Sequence, residues 1–537
     1  MRRIDREAIA GDTTVGYGYM RRAAQGLFDE VIRFIREPGR EQIAIVCGKG
    51  NNGGDGLVLG TMLLEKGYKP MCFGLCDPDT LGGEALRAYE DYMAASGNFF
   101  RIADAEDLKG FSDFSLIVDA ILGTGITGDP HGLAAEAIDI INTSGKPVIA
   151  VDTPSGLNND TGRPGTPSVN AALTVTMGFP KIGQLFFPGR RTIGRLVVKD
   201  LGYPDEIVRR NHAGVFAPTK DDLRRMLPCR KPAGSKFDHG LAFLLCGSKG
   251  MTGSAALAAE SALRTGCGMV HLAAPAGTVP VLAVKLTETV IHPIEETDEG
   301  SPSADALPWI VERANGMQAA LVGPGVSHHP ETARMVRDLV ARMKRPMVLD
   351  ADGINAFKGY AEALGNRNCE LVITPHEGEW GRLFAPLPDE PEARILTLME
   401  TARRYAMTIV YKSTPVLVAD PQGRACIIAA GNSGMASAGS GDVLSGIIVS
   451  LCAQGCASAD AAVLGACIHG LAGDAARAAL TEYSMIAGDL VANIATVMKE
   501  LAGPAVPAFL PESQRGDGLI LPAVKTERHY DRFGEFE

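Results

Sequence analysis

Short apolar runs alternate with polar, glycine-containing loops along the chain, and this alternation predicts the fold. In the first half, continuous apolar runs occur at residues 42–47, 115–120 and 148–151, and a polar loop follows each of them. Continuous hydrophobicity is typical of strands that are buried on both faces of a parallel sheet. Helical patterns separate the runs, as at residues 82–95. The pattern therefore predicts an α/β fold with a doubly wound parallel sheet.

The same alternation continues in the second half, where polar clusters follow apolar runs at residues 241–246, 269–274, 319–322, 346–349, 371–374 and 408–411. Ligands of open α/β sheets bind at the carboxyl ends of the strands, so these clusters are expected to converge. A chain of 537 residues exceeds what one hydrophobic core usually supports. We expect domains at residues 1–214 and 215–502, followed by a poorly ordered Pro/Gly/charged tail at 503–537.

The composition limits the kinds of molecule that the protein is expected to bind. The net charge is -11 and no long basic run occurs, which argues against nucleic acid and against an anionic membrane surface. No segment reaches the ~18 apolar residues of a membrane helix, and the first residues contain no signal core. The eleven cysteines include no C-x-x-C pair, so we expect them to be reduced and mostly buried in a cytoplasmic protein. No sequence feature fixes the oligomeric state.

The first candidate site is the glycine-rich loop after the strand at residues 42–47, which reads G-K-G-N-N-G-G-D-G from Gly48. A strand, a glycine-rich turn and a helix form the geometry that binds dinucleotides or phosphates. The spacing matches neither G-x-G-x-x-G nor the Walker sequence. Asn51, Asn52 and Asp55 instead offer oxygen ligands and amide donors, and the string favours a binding site over a plain turn.

Polar residues after three strands of the first half are expected to converge with this loop. Asn52, Asp119, Asp152 and Ser155 would then lie at one edge of the sheet. An all-oxygen set without His or Cys suits a hard cation. Each residue alone is also compatible with a turn or a helix cap. Lys181, after a further apolar run, is a candidate for a positive group at the same edge.

The second candidate site is the stretch G-N-S-G-M-A-S-A-G-S-G-D-V-L-S-G, which runs from Gly431 to Gly446. A glycine turn that opens into a helix N-terminus presents unpaired N–H groups and forms an anion site. Asp442 lies at this mouth, where a carboxylate is a poor phosphate ligand. It is therefore a candidate general base for phosphoryl transfer, with a helix N-cap as the alternative.

Three further residues admit two interpretations each. His376 lies in T-P-H-E-G-E and is either structural or orients a substrate, with the neighbouring glutamates holding magnesium through water. Asp350 and Asp352 are equally compatible with a turn pair and with a magnesium–phosphate network.

The first half resembles the NAD(P)H-hydrate epimerase domain over about residues 1–210 through G-N-N-G-G-D-G, V-D-A-I-L-G-T-G, V-D-T-P-S-G and G-F-P-K-I-G. The resemblance implies a Rossmann-like domain, a potassium ion on Asn52, Asp119 and Ser155, and catalysis by Asp152 and Lys181. It implies substrate contacts from Asn51, Asn52, Gly53, Gly54, Asp55, Gly123, Thr124, Gly125, Ile126, Thr127, Gly128, Asp129 and Asp152. Within the helix predicted at residues 1–35, Arg21 and Ala24 replace the family's acidic residue and glycine, which leaves the packing or dimer role of this helix open.

The second half resembles the ribokinase-like, ADP-dependent NAD(P)H-hydrate dehydratases over about residues 218–500. The motifs are K-F-D-H-G, G-P-G, D-A-D-G-I-N, T-P-H-E-G-E and the stretch from Gly431. The resemblance implies that Gly325, His376 and Asp442 contact the substrate. It implies nucleotide contacts from Lys412, Ser413, Thr414, Pro415, Val416, Asn432, Ser433, Gly434, Met435, Ala436, Ser437, Ala438, Gly439, Ser440 and Gly441. Ser413 stands where the family has glycine, which leaves the contacts there open.

Together the resemblances imply a bifunctional repair enzyme for hydrated NADH and NADPH. The first domain would interconvert the R and S epimers, and the second would dehydrate the S epimer to NAD(P)H with release of AMP and phosphate. The implied phosphoryl donor is ADP with magnesium, and ATP is the alternative donor. Two other functions stay open: a ribokinase-like kinase of a sugar or hydroxymethylpyrimidine, and a nucleotide-binding protein with an inactive epimerase half. Ribokinase-like and epimerase folds often assemble, so the resemblance implies a homo-oligomer. The sequence does not separate NADHX from NADPHX.

Overall fold

A computed structural model describes residues 1–35, 42–108, 110–126, 128–503 and 528–530. The chain folds into two compact units, of which the first contains residues 1–213 and the second begins at Gly214. Each unit is built around one large sheet with helices on its faces, as the alternating pattern predicts.

The sheet of the first unit has the strand order β7-β6-β5-β4-β1-β2-β3, and these strands are parallel. The order reverses between β1 and β4, and in such sheets ligands bind at this switch point. The strands are β1 (Ile43–Cys47), β2 (Pro70–Gly74), β3 (Asn98–Arg101), β4 (Leu116–Ala120), β5 (Val148–Val151), β6 (Leu173–Met177) and β7 (Arg195–Lys199).

The helices of the first unit correct two details of the sequence prediction. The helix predicted at residues 1–35 is two helices, because Ala10 and Gly11 adopt positive φ and Asp12 then caps the second helix. The helix after β1 starts at Asn51, within the glycine-rich string, whereas the sequence predicts an apolar helix after the string, at residues 57–64. The helices are α1 (Arg2–Ile9), α2 (Thr13–Phe34), α3 (Asn51–Glu65), α4 (Gly83–Ala94), α5 (Leu133–Thr143), α6 (Ile182–Leu185) and α7 (Asp205–Asn211).

The sequence departure in α2 is accommodated by the core of the first unit. Met20 and Ala24 are buried, whereas Arg21 and Arg22 are exposed. Met20 packs directly against α3, since a Cβ added at Gly54 would lie 2.6 Å from its Cε. This stretch therefore joins α2 to the helix that carries the first glycine-rich loop.

The sheet of the second unit has the order β11-β10-β9-β12-β13-β14-β15-β16-β17-β8 and reverses between β9 and β12. The strands from β11 to β15 are parallel, and β16 and β17 continue as an antiparallel hairpin. The strands are β8 (Val215–Phe216), β9 (Leu241–Leu245), β10 (Met269–Pro275), β11 (Val290–Ile294), β12 (Ala319–Val322), β13 (Met347–Leu349), β14 (Leu371–Ile373), β15 (Thr408–Tyr411), β16 (Val416–Ala419) and β17 (Ala425–Ile428).

Two of the helices in the second unit are apolar on nearly every face, which is typical of helices inside a large domain. They are α16 and α17, and α16 is buried from Val443 to Ala453. The helices are α8 (Lys220–Met226), α9 (Thr252–Thr265), α10 (Val279–Lys285), α11 (Leu307–Asn315), α12 (Pro330–Arg342), α13 (Asp352–Asn355), α14 (Glu377–Leu383), α15 (Pro391–Arg404), α16 (Ser440–Ala453), α17 (Ser458–Ala479) and α18 (Ala487–Ala502).

The tail contributes a last strand, β18 (Arg528–Tyr530), which pairs antiparallel with β7. The poor order predicted for the tail otherwise concerns residues 504–527 and 531–537, which lie outside the described residues. All eleven cysteines are free, and most of them are buried, as predicted. In the described part of the chain, every helix is too short or too polar to cross a membrane.

Candidate active sites

At the switch point of the first unit, the loops after β1 and β4 touch. The Gly48 N–H donates to Ala120 O at 3.0 Å, and a Cβ at Gly48 would clash with the Ile121 carbonyl oxygen. A Cβ at Gly123 would lie 3.3 Å from the Cβ of Asn52. This close approach of backbones requires glycine at position 48 and brings the two predicted loops together.

Asp119, at the end of β4, is fully buried and bound by Ser155, as the predicted convergence requires. Ser155 Oγ donates to Asp119 Oδ1 at 2.5 Å, and the Ser155 N–H donates to Oδ2 at 2.8 Å. Burial raises the pKa of Asp119 to about 6, although the hydrogen bonds from Ser155 act in the opposite direction. Among the described residues, neutral donors alone satisfy this carboxylate.

Asn52 is the third residue of the predicted cation site. Its side-chain Nδ2 is buried and has no hydrogen-bond partner within the described part of the chain. The two ends of a side-chain amide are interchangeable in assignment, so the buried position can equally present an oxygen. An unpartnered amide in the first turn of α3 and a buried carboxylate in β4 therefore lie beside the two loops that meet here.

Asp152, at the end of β5, adopts φ +61, a conformation that non-glycine residues rarely take. Lys181 Nζ donates to its Oδ1, and the Met177 N–H donates to the same oxygen at 3.0 Å. Lys181 Nζ also donates to Thr176 Oγ1 at 2.7 Å, and Gln184 Nε2 donates to Asp152 O at 2.7 Å. The two predicted catalytic residues thus form one buried ion pair whose geometry the neighbouring polar groups fix. Thr176 and Gln184 were not predicted from the sequence.

Asp55 faces the same region from α3. Its pKa is raised well above the usual value, first by burial and then by the Asp152 and Asp5 carboxylates, while Lys181 acts in the opposite direction. Asp55 therefore lies close enough to Asp152 and Lys181 for their charges to change its pKa. Asn51 is exposed in the first turn of α3, where Gly53 and Gly54 are buried.

The loop after β4 is held by contacts to other parts of the first unit. The Arg2 guanidinium donates to Thr124 O at 2.6 Å, and Asp129 Oδ1 accepts from the Thr166 N–H at 3.0 Å. Gly128 adopts φ 89. Thr127 lies outside the described residues, and the other predicted positions in this loop are Gly123, Gly125 and Ile126.

In the second unit, α16 begins directly at the predicted anion site. Its N-cap is Gly439, at φ 92, and Asp442 lies in the first turn. The interpretation of Asp442 as the N-cap is therefore wrong. Burial and the Asp350 carboxylate raise the pKa of Asp442 to about 6, while a hydrogen bond from Ser254 and the charge of Lys412 act in the opposite direction.

Asp350, which directly follows β13, is held by a lysine and a threonine. Its Oδ1 accepts from Lys412 Nζ at 2.9 Å and from Thr374 Oγ1 at 2.6 Å. Its Oδ2 is buried and has no hydrogen-bond partner among the described residues. A Cβ added at Gly441 would lie 3.3 Å from Lys412 Nζ and 3.9 Å from this Oδ2. Asp350 and Lys412 therefore lie under the start of α16 and beside Asp442.

Asp352, in contrast, makes its side-chain contacts outside this cluster. Its Oδ1 lies 2.6 Å from His328 Nε2, and its Oδ2 accepts from the Ser327 N–H at 3.0 Å. Asp352 thus fits the turn interpretation, and only its charge reaches Asp442.

His376 combines a structural contact with an exposed ring. Its Nδ1 accepts from the N–H groups of Gly378 and Glu379, so it caps α14. Because Nδ1 accepts, the proton of the neutral ring is on Nε2, which lies 3.3 Å from Glu379 Oε1. Glu379 Oε2 is in turn 3.4 Å from Lys412 Nζ. The side chain of His376 is 51% exposed, which leaves its ring accessible to a ligand.

Gly325 joins the same site across the switch point between β9 and β12. A Cβ at Gly325, where φ is +66, would lie 3.0 Å from Met251 Cβ and 3.2 Å from Ser254 Cβ. Ser254 is the side chain that hydrogen-bonds to Asp442. The predicted substrate residues Gly325 and Asp442 thus both lie next to Ser254, which was not predicted from the sequence.

The predicted nucleotide residues lie in two loops. In the first, Ser413 Oγ donates to Pro415 O at 2.7 Å, so the serine that replaces glycine bonds within its own loop. This loop also contains Thr414 and ends at Val416, the start of β16. In the second loop, Asn432 Oδ1 accepts from the Gly434 N–H at 3.1 Å. The remaining positions differ in exposure: Ser433, Ala436 and Ala438 are exposed, Met435, Ser437, Gly439 and Gly441 are partly buried, and Ser440 is buried.

Two residues of α17 that hold this second loop were missed. Asp474 accepts from the Gly431 N–H at 2.9 Å and from Asn432 Nδ2 at 3.0 Å. His469 Nε2 lies 2.9 Å from Ser440 O. The sequence did contain a signal for them, because His469 and Asp474 are polar residues in a helix made mostly of small and apolar residues.

These folds and sites define a two-part α/β enzyme. A family model described as "YjeF-related protein N-terminus" matches residues 17–183, and one described as "NAD(P)H-hydrate dehydratase" matches residues 242–496. The "Bifunctional NAD(P)H-hydrate repair enzyme Nnr" of Moorella thermoacetica is 38% identical over 474 residues, which cover 87% of this chain and 89% of the relative. The chain belongs to the family of bifunctional NAD(P)H-hydrate repair enzymes.

A second curated relative and a solved structure are also similar to this chain. The enzyme of the same name from Escherichia coli is 32% identical over 499 residues, covering 93% of this chain and 92% of the relative. Among solved structures, an "ADP/ATP-dependent NAD(P)H-hydrate dehydratase from Bacillus subtilis co-crystallized with ATP/Mg2+" aligns with a TM-score of 0.44 and 25% identity. It covers 53% of this chain and 97% of its own length.

Proposed function

We propose that this chain repairs hydrated NADH and NADPH with two separate sites. The first unit interconverts the R and S epimers of NAD(P)HX, and the second dehydrates S-NAD(P)HX to NAD(P)H at the expense of ADP. The observation that carries the proposal is the position of Asp442, a carboxylate with a raised pKa at the N-terminus of α16 and beside Lys412. Membership of the repair-enzyme family supports both activities.

In the second unit, the Asp442 carboxylate takes the proton from the hydroxyl of the hydrated ring while that oxygen attacks the terminal phosphorus of ADP. The bond between this phosphorus and the bridging oxygen breaks, and AMP leaves. A pKa of about 6 leaves this carboxylate ionised at neutral pH and more basic than an ordinary aspartate. The unpaired N–H groups at the start of α16 and the Lys412 ammonium stabilise the charge on the transferring group. Loss of phosphate from the ring, together with a proton from the neighbouring ring carbon, then restores the dihydropyridine.

Magnesium fits the residues beside Asp442. The unpartnered Oδ2 of Asp350 is a carboxylate oxygen that is directed toward Gly441, where the phosphates would lie. Carboxylate oxygens, water and phosphates form the usual magnesium environment. Asp350 would hold the ion directly or through water, and the ion would neutralise charge on the phosphates. The neighbouring Lys412 compensates the Oδ1 side of the same carboxylate.

In the first unit, Asp152 and Lys181 are the proposed acid–base pair for epimerisation. Lys181 and the Met177 N–H hold the Asp152 carboxylate in one orientation. Asp55 is close enough for the charge of Asp152 to raise its pKa. A proton can therefore be taken up or released at the edge of the sheet where the two glycine-rich loops meet. The first-unit loops that contain Asn52 and Gly123 would hold the nucleotide part of the substrate.

A potassium ion fits Asn52, Asp119 and Ser155. Asp119 is buried and only neutral groups donate to it among the described residues, while Asn52 has an unpartnered amide. A buried carboxylate without a positive partner is costly, and a bound cation removes that cost. When bound, the ion would add positive charge next to the loop after β4.

The discriminating experiment incubates the purified chain with each epimer of hydrated NADH, with ADP or ATP, and follows recovery of the absorbance of the reduced ring. We expect recovery of NADH from both epimers, with AMP formed from ADP. A sugar or hydroxymethylpyrimidine kinase would instead accumulate a phosphorylated alcohol from ATP and leave the hydrates unchanged. An inactive first unit would leave the R epimer behind after the S epimer is consumed.

We further propose a cytoplasmic homo-oligomer. The negative net charge and the free, mostly buried cysteines are compatible with a reducing compartment. Light scattering of the purified chain gives the mass of the assembly directly, and a mass of 56.6 kDa, that of one chain, would contradict the oligomer.

A further inference from the structure

One face of α17 supports the whole nucleotide loop between Gly431 and Gly441. At the C-terminal end of this face, Asp474 accepts from the Gly431 N–H at 2.9 Å and from Asn432 Nδ2 at 3.0 Å. Asp474 is 7% exposed, so water competes little for these bonds. Hydrogen bonds to an ionised acceptor are about twice as strong as neutral ones. The start of the loop is therefore fixed to α17 by a charge.

About one and a half turns earlier on α17, His469 holds the end of the loop. Its Nε2 lies 2.9 Å from Ser440 O and 3.1 Å from Ser440 Oγ. A carbonyl oxygen only accepts, so the proton is on Nε2 and the ring donates to Ser440. Burial lowers the pKa of His469 to about 4, which keeps the ring neutral. Ser440 is the first residue of α16, where the proposed anion-binding N–H groups begin.

Two glycines between these residues let the loop lie directly on the helix backbone. A Cβ at Gly470 would lie 2.8 Å from Ala430 O, and a Cβ at Gly473 would clash with Met435 Sδ. Four neighbouring positions of α17 thus contact the loop at its start, its middle and its end. α17 therefore supports the loop along its length.

We propose that Asp474 and His469 are positioning residues for the dehydratase reaction, and that each controls a different end of the nucleotide loop. Asp474 orients Gly431 and Asn432 and thereby sets the affinity for the nucleotide. His469 fixes Ser440 and thereby the N–H groups that stabilise the transferring phosphoryl group. The inference rests on the nucleotide site proposed above.

The first test is Asp474→Asn, a change that keeps the shape of the side chain. The new amide places an N–H group against one of the two donors at Gly431 and Asn432, so one hydrogen bond becomes a repulsion. Loss of one charge-assisted hydrogen bond corresponds to about a tenfold effect, and we expect the KM for ADP to rise by about that factor. The KM for the hydrated coenzyme should stay within about twofold of the parent value. Asp460→Asn, the same change in the first turn of α17, is the matched control.

A charge swap makes the test specific for this contact. In the double variant Asn432→Asp with Asp474→Asn, the carboxylate and the amide exchange places. The amide at 474 can accept from Gly431 N–H and donate to the carboxylate at 432, which still accepts from Gly434 N–H. All three hydrogen bonds are then restored, and we expect most of the loss in ADP affinity to be recovered. Failure of the swap to recover any ADP affinity would overturn the assignment.

The second residue is tested by His469→Ala and His469→Gln, because a glutamine can place an N–H donor near the position of Nε2. We expect the alanine variant to lower kcat with little change in the KM for the hydrated coenzyme, and the glutamine variant to recover part of kcat. Equal losses in both variants that follow their melting temperatures would show a role in folding only and overturn the proposal.

The outcomes separate this inference from the proposed function. If the parent chain does not convert hydrated NADH with ADP, the proposed function fails before any variant is compared. If the parent chain is active and Asp474→Asn leaves the KM for ADP unchanged, the nucleotide reaction stands and the positioning role of Asp474 is wrong.

Discussion

The Lys412 ammonium lies 2.9 Å from Asp350 Oδ1, and the same group lies 3.4 Å from Glu379 Oε2. Asp350 is 1% and Glu379 is 4% exposed, so one lysine compensates two buried carboxylates. Burial alone would lower the pKa of Lys412, but the two carboxylates raise it above its usual value. Lys412 is therefore charged at neutral pH and joins the ends of β13 and β15 to the first turn of α14.

We predict that Lys412→Met destabilises the second unit strongly, because it leaves two buried carboxylates without a cation. Removal of one partner from a buried ion pair typically costs about 3–5 kcal/mol. Both tryptophans of the chain, Trp309 and Trp380, lie in the second unit, so urea unfolding followed by tryptophan fluorescence reports on this unit. Lys358→Met, the same change at an exposed position, is the control, and an equal midpoint for the two variants would contradict the prediction.

Asp442→Asn should abolish turnover and leave nucleotide binding intact. The amide is nearly the same size as the carboxylate but cannot take a proton, so we expect turnover to fall by about two to four orders of magnitude. Binding of ADP is measured by calorimetry and should be retained, because the N–H groups at the start of α16 are unchanged. Retained turnover would remove Asp442 from its role as the base.

Asp442→Asn should lower turnover but raise the stability of the folded chain, and this gain in stability depends on pH. Burial and Asp350 raise the pKa of Asp442 to about 6 in the folded chain, above the value of 3.8 for an unperturbed group, so its ionisation costs folding free energy. This cost is complete above about pH 6 and disappears below about pH 4. We therefore expect Asp442→Asn to be more stable than the parent at pH 8, by about 1–3 kcal/mol, and equally stable near pH 4. Urea unfolding at the two pH values tests this, and a less stable variant at pH 8 would show that the carboxylate is a net structural contact.

The proposed cation site predicts how epimer exchange depends on potassium. Asp119→Ala removes the buried carboxylate, so exchange should become slow and insensitive to replacement of potassium by a large organic cation. The parent chain should show exchange that rises with potassium concentration. Asp113→Ala, at an exposed position just before β4, is the control and should behave like the parent chain. Parent exchange that is indifferent to potassium would exclude the site.

Sequence patterns predicted the parts of these sites that depend on backbone topology. Asp119, Asp152 and Asp350 each follow an apolar run, and parallel strands bring such residues to one sheet edge. The run alone could not decide between Asp350 and Asp352, because both occupy the same loop. Only side-chain contacts separate them: Asp350 pairs with Lys412, and Asp352 with His328.

Residues that act from distant helices could not be predicted in this way. Ser254 reaches Asp442 from α9, and His469 and Asp474 reach the nucleotide loop from α17. Their positions depend on how helices pack against the sheet, which periodicity does not specify. The N-cap interpretation of Asp442 failed for a related reason, since Gly439 at positive φ starts the helix three residues earlier.

Close packing of α16 against α9 gives a last prediction. A Cβ at Gly446 would clash with Ser261 Oγ and with the Ala258 carbonyl oxygen, and the backbone of α9 cannot move aside as a flexible side chain could. Overpacking of this kind typically costs about 1–3 kcal/mol, so Gly446→Ala should lower the urea midpoint of the second unit. Gly488→Ala, in α18 with open space around its Cβ position, is the matched control and should be neutral or stabilising, because alanine favours a helix over glycine. Gly446 lies in α16, the helix whose first turn contains Asp442. A shift of this helix would displace Asp442, so Gly446→Ala should lower turnover at temperatures where the variant is still folded. If Gly446→Ala matched Gly488→Ala in stability, the close approach of the two helices would be disproved.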